Sequence, residues 1–116
     1  MIPLHLYSKT YDEQNYNCAH LTVDVWKAET GEDISSSLIG MMKSKNDRKV
    51  DPAIRRNFTR LQKAESPCLV LMRNGREDTH AGVYLRGKIV QIGGEGVTCT
   101  SPDIATRPYR SVRFYR

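Results

Sequence analysis

The chain has 116 residues, of which 39% are apolar and 27% charged, and its formal net charge is +5. This length is typical of a single domain, 1–116, and the composition is that of a soluble globular protein, which excludes a disordered chain. No apolar run approaches the roughly 18 residues of a membrane span. The first residues lack the basic and then apolar pattern of a secretory signal, so we expect a protein made in the cytoplasm.

The cysteines and the net charge limit the possible partners. Three cysteines without a CxxC spacing argue against both a disulfide framework and a structural zinc site. The positive charge favours an anionic partner, which could be nucleic acid, an anionic polymer or a membrane surface. The chain contains no block of five or more Lys and Arg, and this disfavours nucleic acid.

The best-defined predicted element is a helix near the N-terminus. Asn15 and Asn17 can each cap its start, and Gly31 suits a left-handed cap at its end. Between them, residues recur at the spacing of one helix face: Cys18, Leu21, Thr22, Val25 and Trp26. Cys18 is therefore expected in the first turn of an amphipathic helix.

Two further helices are predicted before the pattern changes. Asp33 or one of residues 35–37 begins the second, which continues through Met42. The segment "KSKNDRKV" is predicted to be an exposed connection, and Asp51-Pro52 is a cap followed by a proline at the first helical position. Pro67 is predicted to end the helical region, and a narrow apolar stripe marks the third helix: Ile54, Phe58 and Leu61.

The remainder of the chain has the pattern of β-strands. "CLVLM" is typical of a strand buried on both faces, and Asn74-Gly75 indicates a hairpin. "HAGVYL" and "KIVQI" flank the tight turn Arg86-Gly87, and a flexible glycine-rich break follows at 93–96. Ser101-Pro102 can cap one helical turn before the last strand, "SVRFYR". Helices followed by an antiparallel meander define an α+β fold.

Cys18 has two interpretations. A thiol in the first turn of a helix lies near unpaired N–H groups and the positive end of the helix dipole, which favour the nucleophilic thiolate. The same residue shares its helix face with Leu21 and Val25, which is the position of a small buried core residue. The choice between them depends on whether the fold supplies a base.

His80 and Gln91 could supply a base and a group that orients it. If the turn Arg86-Gly87 is a two-residue loop, Gly82 faces Gln91, and Gln91 becomes a diagonal neighbour of His80 on one side of the sheet. A helix packed on that side would bring Cys18 to His80, in the Cys-His-polar arrangement of papain-type chemistry. A three-residue loop would instead place Gln91 on the opposite face.

These residues resemble the NlpC-type cell-wall cysteine peptidases, a papain-like superfamily, and in particular their compact phage-tail members. In that family Asp or Asn precedes the nucleophile at the start of a helix, as in "YNCAHLTVDVW". The base lies in a strand of the form His-x-Gly-[IV]-Tyr-Leu, here "HAGVYL", and a third polar residue follows one hairpin later. The resemblance covers nearly the whole chain and implies that Cys18 is the nucleophile, His80 the base and Gln91 the orienting residue.

The resemblance also implies a fold and a function. The fold would be papain-like, with N-terminal helices packed on a C-terminal antiparallel sheet. The activity would be hydrolysis of amide bonds in peptidoglycan peptides, without a metal or cofactor. A family tyrosine before the nucleophile helps to stabilise the oxyanion, and Tyr11 is its best match, with Tyr7 and Tyr16 nearby. A phage tail, a secretion machine or lysis would bring the protein to the cell wall, and it could be associated with virions.

The chain departs from the family pattern at three points. Ala19-His20 replaces the usual small residues, Gln91 stands where His is usual, and Ser66-Pro67 replaces a Gly-Asp pair. Other functions stay open: a thiol acyltransferase or deamidase, a catalytically silent phage-tail structural protein, or a basic nucleic-acid binder. The last is disfavoured because aromatic residues are interleaved with Lys and Arg only in "RPYRSVRFYR".

Overall fold

The computed structural model describes residues 2–43, 52–74 and 79–116. Within these ranges the helices are α1 (Leu4–Tyr7), α2 (Cys18–Thr30), α3 (Ser35–Lys43), α4 (Pro52–Asn57) and α5 (Pro102–Thr106). The strands are β1 (Arg60–Leu61), β2 (Cys68–Arg73), β3 (His80–Leu85), β4 (Lys88–Gly93), β5 (Gly96–Thr100) and β6 (Ser111–Tyr115). The predicted α+β class is confirmed. None of these helices is long and apolar enough to cross a membrane.

The described strands form one antiparallel sheet in the order β1-β6-β2-β3-β4-β5. Strands β2 to β5 are a meander, of which β2 to β4 were predicted, and β6 returns after α5 to pair with the other side of β2. Strand β2 therefore has a partner on each side and lies inside the sheet. This position explains why five of its six residues, the run "CLVLM", are buried.

Helix α2 begins and ends where the sequence predicts. The Asn17 side chain accepts the Ala19 N–H at 2.9 Å, and the His20 ring accepts the Asn17 N–H at 3.1 Å, which completes a capping box. At the other end Gly31 has a φ of 82°, a left-handed conformation that glycine adopts without strain. The sequence signals at both ends of this helix are confirmed.

The two faces of the sheet are covered by different helices. One face packs with α2 and α3 through a single apolar cluster that includes Leu69, Leu71, Ala81, Val83, Leu85, Val90 and Ile92. The other face packs with α5 through Val70, Met72, Ile89 and Ala105, with Tyr84 and Tyr109 beside them. Since side chains alternate along a strand, His80 lies on the α5 face with Tyr84, whereas Ala81 and Val83 face α2.

The expectation that the helix carrying Cys18 packs on the His80 face is therefore wrong. The physical reason is the composition of β3, in which Ala81, Val83 and Leu85 form the continuous apolar face. A long amphipathic helix such as α2 buries its apolar stripe on such a face. The face with histidine, glycine and tyrosine is covered by the shorter helix α5.

Other predictions need correction, and some fall outside the described residues. Helix α4 ends at Asn57, so the helical region does not extend to Pro67. Leu61 lies in strand β1 and not in a helix, because Thr59 and Arg116 exchange backbone hydrogen bonds at 2.9 and 3.0 Å and start the pairing of β1 with β6. The glycine-rich break is a hairpin in which Gly93 pairs with Gly96, and β5 was not predicted. Helix α1 was not predicted either. Residues 44–50 of the predicted connection, the cap residue 51 and residue 75 of the predicted hairpin are outside the described ranges.

Candidate active site

The β3–β4 hairpin has the register on which the candidate site depends. Leu85 pairs with Lys88 across the two-residue turn Arg86-Gly87. Both turn residues have positive φ, 46° and 84°, as a type I′ turn requires. This turn matches the right-handed twist of the strands, and it fixes which residues of β3 and β4 face each other.

His80 and Gln91 meet on the α5 face of the sheet, as predicted from this register. His80 Nε2 lies 2.7 Å from Gln91 Oε1. The two strands approach closely at Gly82: a Cβ at this position would lie 3.0 Å from the Val90 carbonyl oxygen, whereas its 3.5 Å distance to Gln91 Cβ would be an ordinary contact. Gln91 is a diagonal neighbour of His80 across the hairpin, so its side chain reaches the imidazole.

The hydrogen bond determines which nitrogen of His80 can act as a base. An amide oxygen only accepts hydrogen bonds, so Nε2–H is the donor, and a neutral ring then keeps its lone pair on Nδ1. The imidazole also stacks on Tyr109, with ring centroids 5.7 Å apart and planes 4° from parallel. Two contacts thus fix the orientation of the ring and leave Nδ1 as the atom suited to take a proton.

Tyr109 is a member of the site that sequence reasoning missed. It follows α5 in the segment "RPYR", and the fold brings it to His80 only because α5 covers that face of the sheet. Strand spacing could not have indicated the contact, since Tyr109 belongs to neither β3 nor β4.

Cys18 and His80 lie at the same end of the α2–sheet layer. At the other end, Arg86 Nη1 in the β3–β4 turn lies 2.7 Å from Glu29 Oε1 near the end of α2. The thirteen residues of α2 span about 18 Å and the six residues of β3 about 17 Å. Because the two elements have similar lengths and meet near their last residues, their first residues lie together at the opposite end. Those first residues are Cys18 and His80.

The start of α2 is anchored by a buried asparagine. Asn17 has no exposed area, and the two N–H donors of its Nδ2 are shared among three backbone carbonyls, those of Glu13, Met41 and Met42, at 3.1 to 3.3 Å. These bonds tie the helix N-terminus to the preceding loop and to the end of α3. Cys18, the first residue of the helix, is also fully buried. The thiol is therefore held rigidly within the core, at the positive end of the helix.

The three candidate tyrosines have different environments. Tyr7, on α1, lines a cavity with Leu85 and Arg86 at the far end of the sheet, away from His80. Tyr16 donates to Asp24 Oδ2 at 2.6 Å, and burial together with this carboxylate raises the pKa of Tyr16. Tyr11 lies in the loop before α2, and its hydroxyl donates to the Glu13 carboxylate. Tyr11 can donate to an oxyanion only if its hydroxyl first gives up the hydrogen bond to Glu13.

An open cleft of about 270 Å³ borders the His80 side chain. Its walls are the imidazole, the Gln91 amide, the Tyr109 ring and the glycine-rich turn 93–96. A backbone of glycines lets an extended ligand approach closely, since no Cβ atoms intervene. Among the described residues, no group of three or more His, Cys, Asp and Glu side chains could hold a metal ion.

No protein-family model, no curated protein and no solved structure matches the chain. The candidate site comprises an oriented imidazole beside an open cleft, and a cysteine at a helix N-terminus at the same end of the sheet.

Proposed function

We propose that the protein is a papain-like cysteine hydrolase that cleaves amide bonds in peptidoglycan peptides, with Cys18, His80 and Gln91 as its catalytic triad. The observation that carries this proposal is the 2.7 Å contact between His80 Nε2 and Gln91 Oε1. It prepares the imidazole as a neutral base with its lone pair on Nδ1, which is what a Cys-His pair needs from its third member.

In the proposed reaction His80 Nδ1 takes the Cys18 proton, and the thiolate attacks the carbonyl carbon of the scissile amide. The imidazolium then protonates the leaving amine, and the C–N bond breaks to give a thioester. Water, deprotonated by the same imidazole, hydrolyses the thioester and regenerates the thiol. The Cys18 backbone N–H and the Tyr11 hydroxyl would hold the negative charge that develops on the carbonyl oxygen.

The choice of peptidoglycan follows from the motifs "YNCAHLTVDVW" and "HAGVYL" and their resemblance to NlpC-type peptidases. The net charge of +5 supports an anionic wall polymer as the substrate. A phage tail or a secretion machine would deliver the protein to the wall.

The decisive experiment is digestion of purified peptidoglycan, with mass spectrometry of the soluble fragments. We expect amide cleavage by the wild type and none by Cys18→Ala or His80→Ala. Cys99→Ala and His5→Ala are matched controls, since Cys99 and His5 are exposed and lie outside the candidate site; both should retain activity. Activity in folded His80→Ala would rule out the proposed mechanism.

One observation favours a second candidate function, that of a catalytically silent structural protein of a phage tail. Cys18 has no exposed area, as in a residue that only fills the core. In this case a cell-wall digest would contain no new fragments, and tail assembly in a complementation assay would be unaffected by Cys18→Ala. The two candidates therefore differ in what they predict for the wild type: new wall fragments from the hydrolase and none from the structural protein.

A further inference from the structure

The cleft beside His80 contains a single acidic side chain. Its walls are His80, Gln91, Tyr109 and the turn 93–96, with Thr98 beside them. Glu95, in that turn, is the one Asp or Glu that lines the cleft, and no Lys or Arg lines it. The carboxylate of Glu95 therefore gives the cleft a negative charge within a chain whose net charge is +5.

The Glu95 carboxylate is open to a ligand. It forms no ion pair within the described parts of the chain, although Lys and Arg outnumber Asp and Glu there and elsewhere by 18 to 13 in the full sequence. Glu95 is exposed in the β4–β5 turn, and a Cβ at its neighbours Gly94 or Gly96 would meet no atom within 4 Å. A positively charged group can therefore reach this carboxylate without displacing a cation of the protein.

The place of the cleft indicates which half of a substrate it would hold. In the proposed reaction the acyl half becomes bonded to the Cys18 sulfur, and Cys18 does not line the cleft. The leaving nitrogen must contact the His80 imidazole, because the imidazolium protonates it. Since the same imidazole borders the cleft, the residue that carries the leaving nitrogen is the one that can extend into the cleft.

We propose that the cleft binds the amine-side half of the substrate and that Glu95 selects a residue with a positively charged side chain there. The assignment to the amine-side half rests on the proposed hydrolase, whereas the preference for a cation depends only on the cleft. The volume of about 270 Å³ is below the range of drug-sized sites and suits a single residue. An exposed ion pair changes affinity by at most about fivefold, so Glu95 adjusts selectivity and the rest of the wall contributes contact area.

The test is binding of three short peptides to folded Cys18→Ala, which keeps the cleft but cannot turn over, followed by NMR of isotope-labelled protein. Lysyl-alanine amide, norleucyl-alanine amide and glutamyl-alanine amide differ in the charge of the first side chain. We expect the lysyl peptide to bind about two- to fivefold more tightly than the norleucyl peptide, and the glutamyl peptide to bind most weakly. The largest signal shifts should be at the backbone amides of residues 93–96.

Substitutions of Glu95, each combined with Cys18→Ala, then test the role of the carboxylate. Glu95→Gln should remove the difference between the lysyl and norleucyl peptides. Glu95→Lys should reverse the order, so that the glutamyl peptide binds best. Because Glu95 is exposed in a turn, these variants should fold normally, which thermal melting checks.

Glu32 provides the matched control. It is an exposed residue just after α2, at the opposite end of that helix from Cys18. Glu32→Lys changes the net charge as much as Glu95→Lys does and should leave the order of the peptides unchanged. If both variants altered the order alike, net charge alone would determine it, and the proposal would be overturned. Equal binding of the three peptides, or no measurable binding of any, would also overturn it.

Hydrolysis of wall peptides separates this proposal from the proposed function. If the wild type releases no wall fragments but its cleft prefers the lysyl peptide through Glu95, the hydrolase fails and a cation-binding cleft remains. If the wild type cleaves wall peptides and Glu95→Gln has the same preference for the amine-side residue, the cleft proposal fails and the hydrolase remains.

Discussion

The hydrogen bond from His80 Nε2 to Gln91 Oε1 gives a direct test of how His80 is oriented. Gln91→Ala removes the acceptor of the Nε2–H bond but leaves the thiol and the imidazole in place. We expect kcat to fall about 10- to 100-fold, the effect of one lost and partly buried hydrogen bond, whereas Cys18→Ala and His80→Ala abolish turnover. Gln91→His restores a ring that can orient His80 and should retain more activity than Gln91→Ala. Release of soluble wall peptides is the measurement.

The double variant supplies the control for this series. If Gln91 acts only by orienting His80, Cys18→Ala combined with Gln91→Ala is no worse than Cys18→Ala alone. Wild-type activity in folded Gln91→Ala would show that the 2.7 Å contact has no part in the chemistry.

His20 makes the stability of the helix N-terminus depend on pH. Its Nδ1 accepts the Asn17 N–H at 3.1 Å, so protonation removes a capping hydrogen bond. Burial lowers the pKa of His20, and the nearby Asp24 carboxylate opposes this shift. The unfolded chain titrates near its ordinary value of about 6.5, and between that value and the lower folded pKa it binds more protons than the native state. Stability therefore falls as pH drops below about 6.5.

The replacement His20→Gln tests this linkage. Glutamine at the third helical position can still accept the Asn17 N–H in a capping box, but it does not titrate. We expect the melting temperature of the wild type to fall more steeply than that of His20→Gln between pH 7.5 and pH 5. Parallel curves would mean that other groups dominate the acid sensitivity.

At the scale of elements, the β3–β4 hairpin depends on Gly82. A Cβ at Gly82 would lie 3.0 Å from the Val90 carbonyl oxygen and 3.3 Å from Ile89 Cγ2, which requires the two strands to move apart. We expect Gly82→Ala to lower the free energy of unfolding by about 1 to 3 kcal/mol, as overpacked sites do. Because Gln91 is displaced with β4, activity should fall as well.

Gly93→Ala is the matched control: Gly93 lies in β4 of the same hairpin, and nothing lies within 4 Å of a Cβ at that position. Urea unfolding of both variants measures the difference. Equal destabilisation would mean that the close approach of the backbones at Gly82 is not what makes glycine necessary there.

The elements that could be predicted are those specified by local chemistry. Asn17 and Gly31 determine the ends of α2, and the turn Arg86-Gly87 determines the pairing of β3 and β4. From the pairing of β3 and β4 the contact between His80 and Gln91 follows, because the register puts the two residues on the same face of the hairpin.

The elements that could not be predicted depend on distant parts of the chain. Strand β1 has only two residues and exists because β6 pairs with it. Similarly, the apolar face of β3 indicates where the long helix α2 packs, but nothing in β3 indicates that α5 covers the His80 face. This is why the contact of Tyr109 with His80 was found only in the structure.

At the scale of the whole molecule, the three cysteines lie in three environments, which one labelling experiment can compare. Cys99 is exposed, and Cys68 is buried in β2, where burial raises the pKa of its thiol. Cys18 is equally buried but lies at a helix N-terminus. If it is the nucleophile, we expect iodoacetamide to alkylate Cys18 at a lower pH than Cys68 and Cys99, because the thiolate is the reactive form.

Mass spectrometry of native protein labelled at pH 5 to 9 gives the three rates. Cys68 should react only after unfolding, which serves as the internal standard for a core thiol. Protection of Cys18 to the same degree as Cys68 would favour the structural protein over the hydrolase.

The placement of β6 has a consequence for how the chain avoids association with other copies of itself. Strand β2 is the most apolar strand, and β6 covers the edge that β3 does not. Because β6 follows β3, β4, β5 and α5 in the chain, the meander can form while this edge of β2 still has no partner strand. An uncovered apolar edge pairs readily with strands of other molecules, which is how aggregates begin. Pairing of β6 with β2 therefore protects the chain against aggregation. If substitutions destabilise this pairing, refolding yield should fall steeply as protein concentration rises.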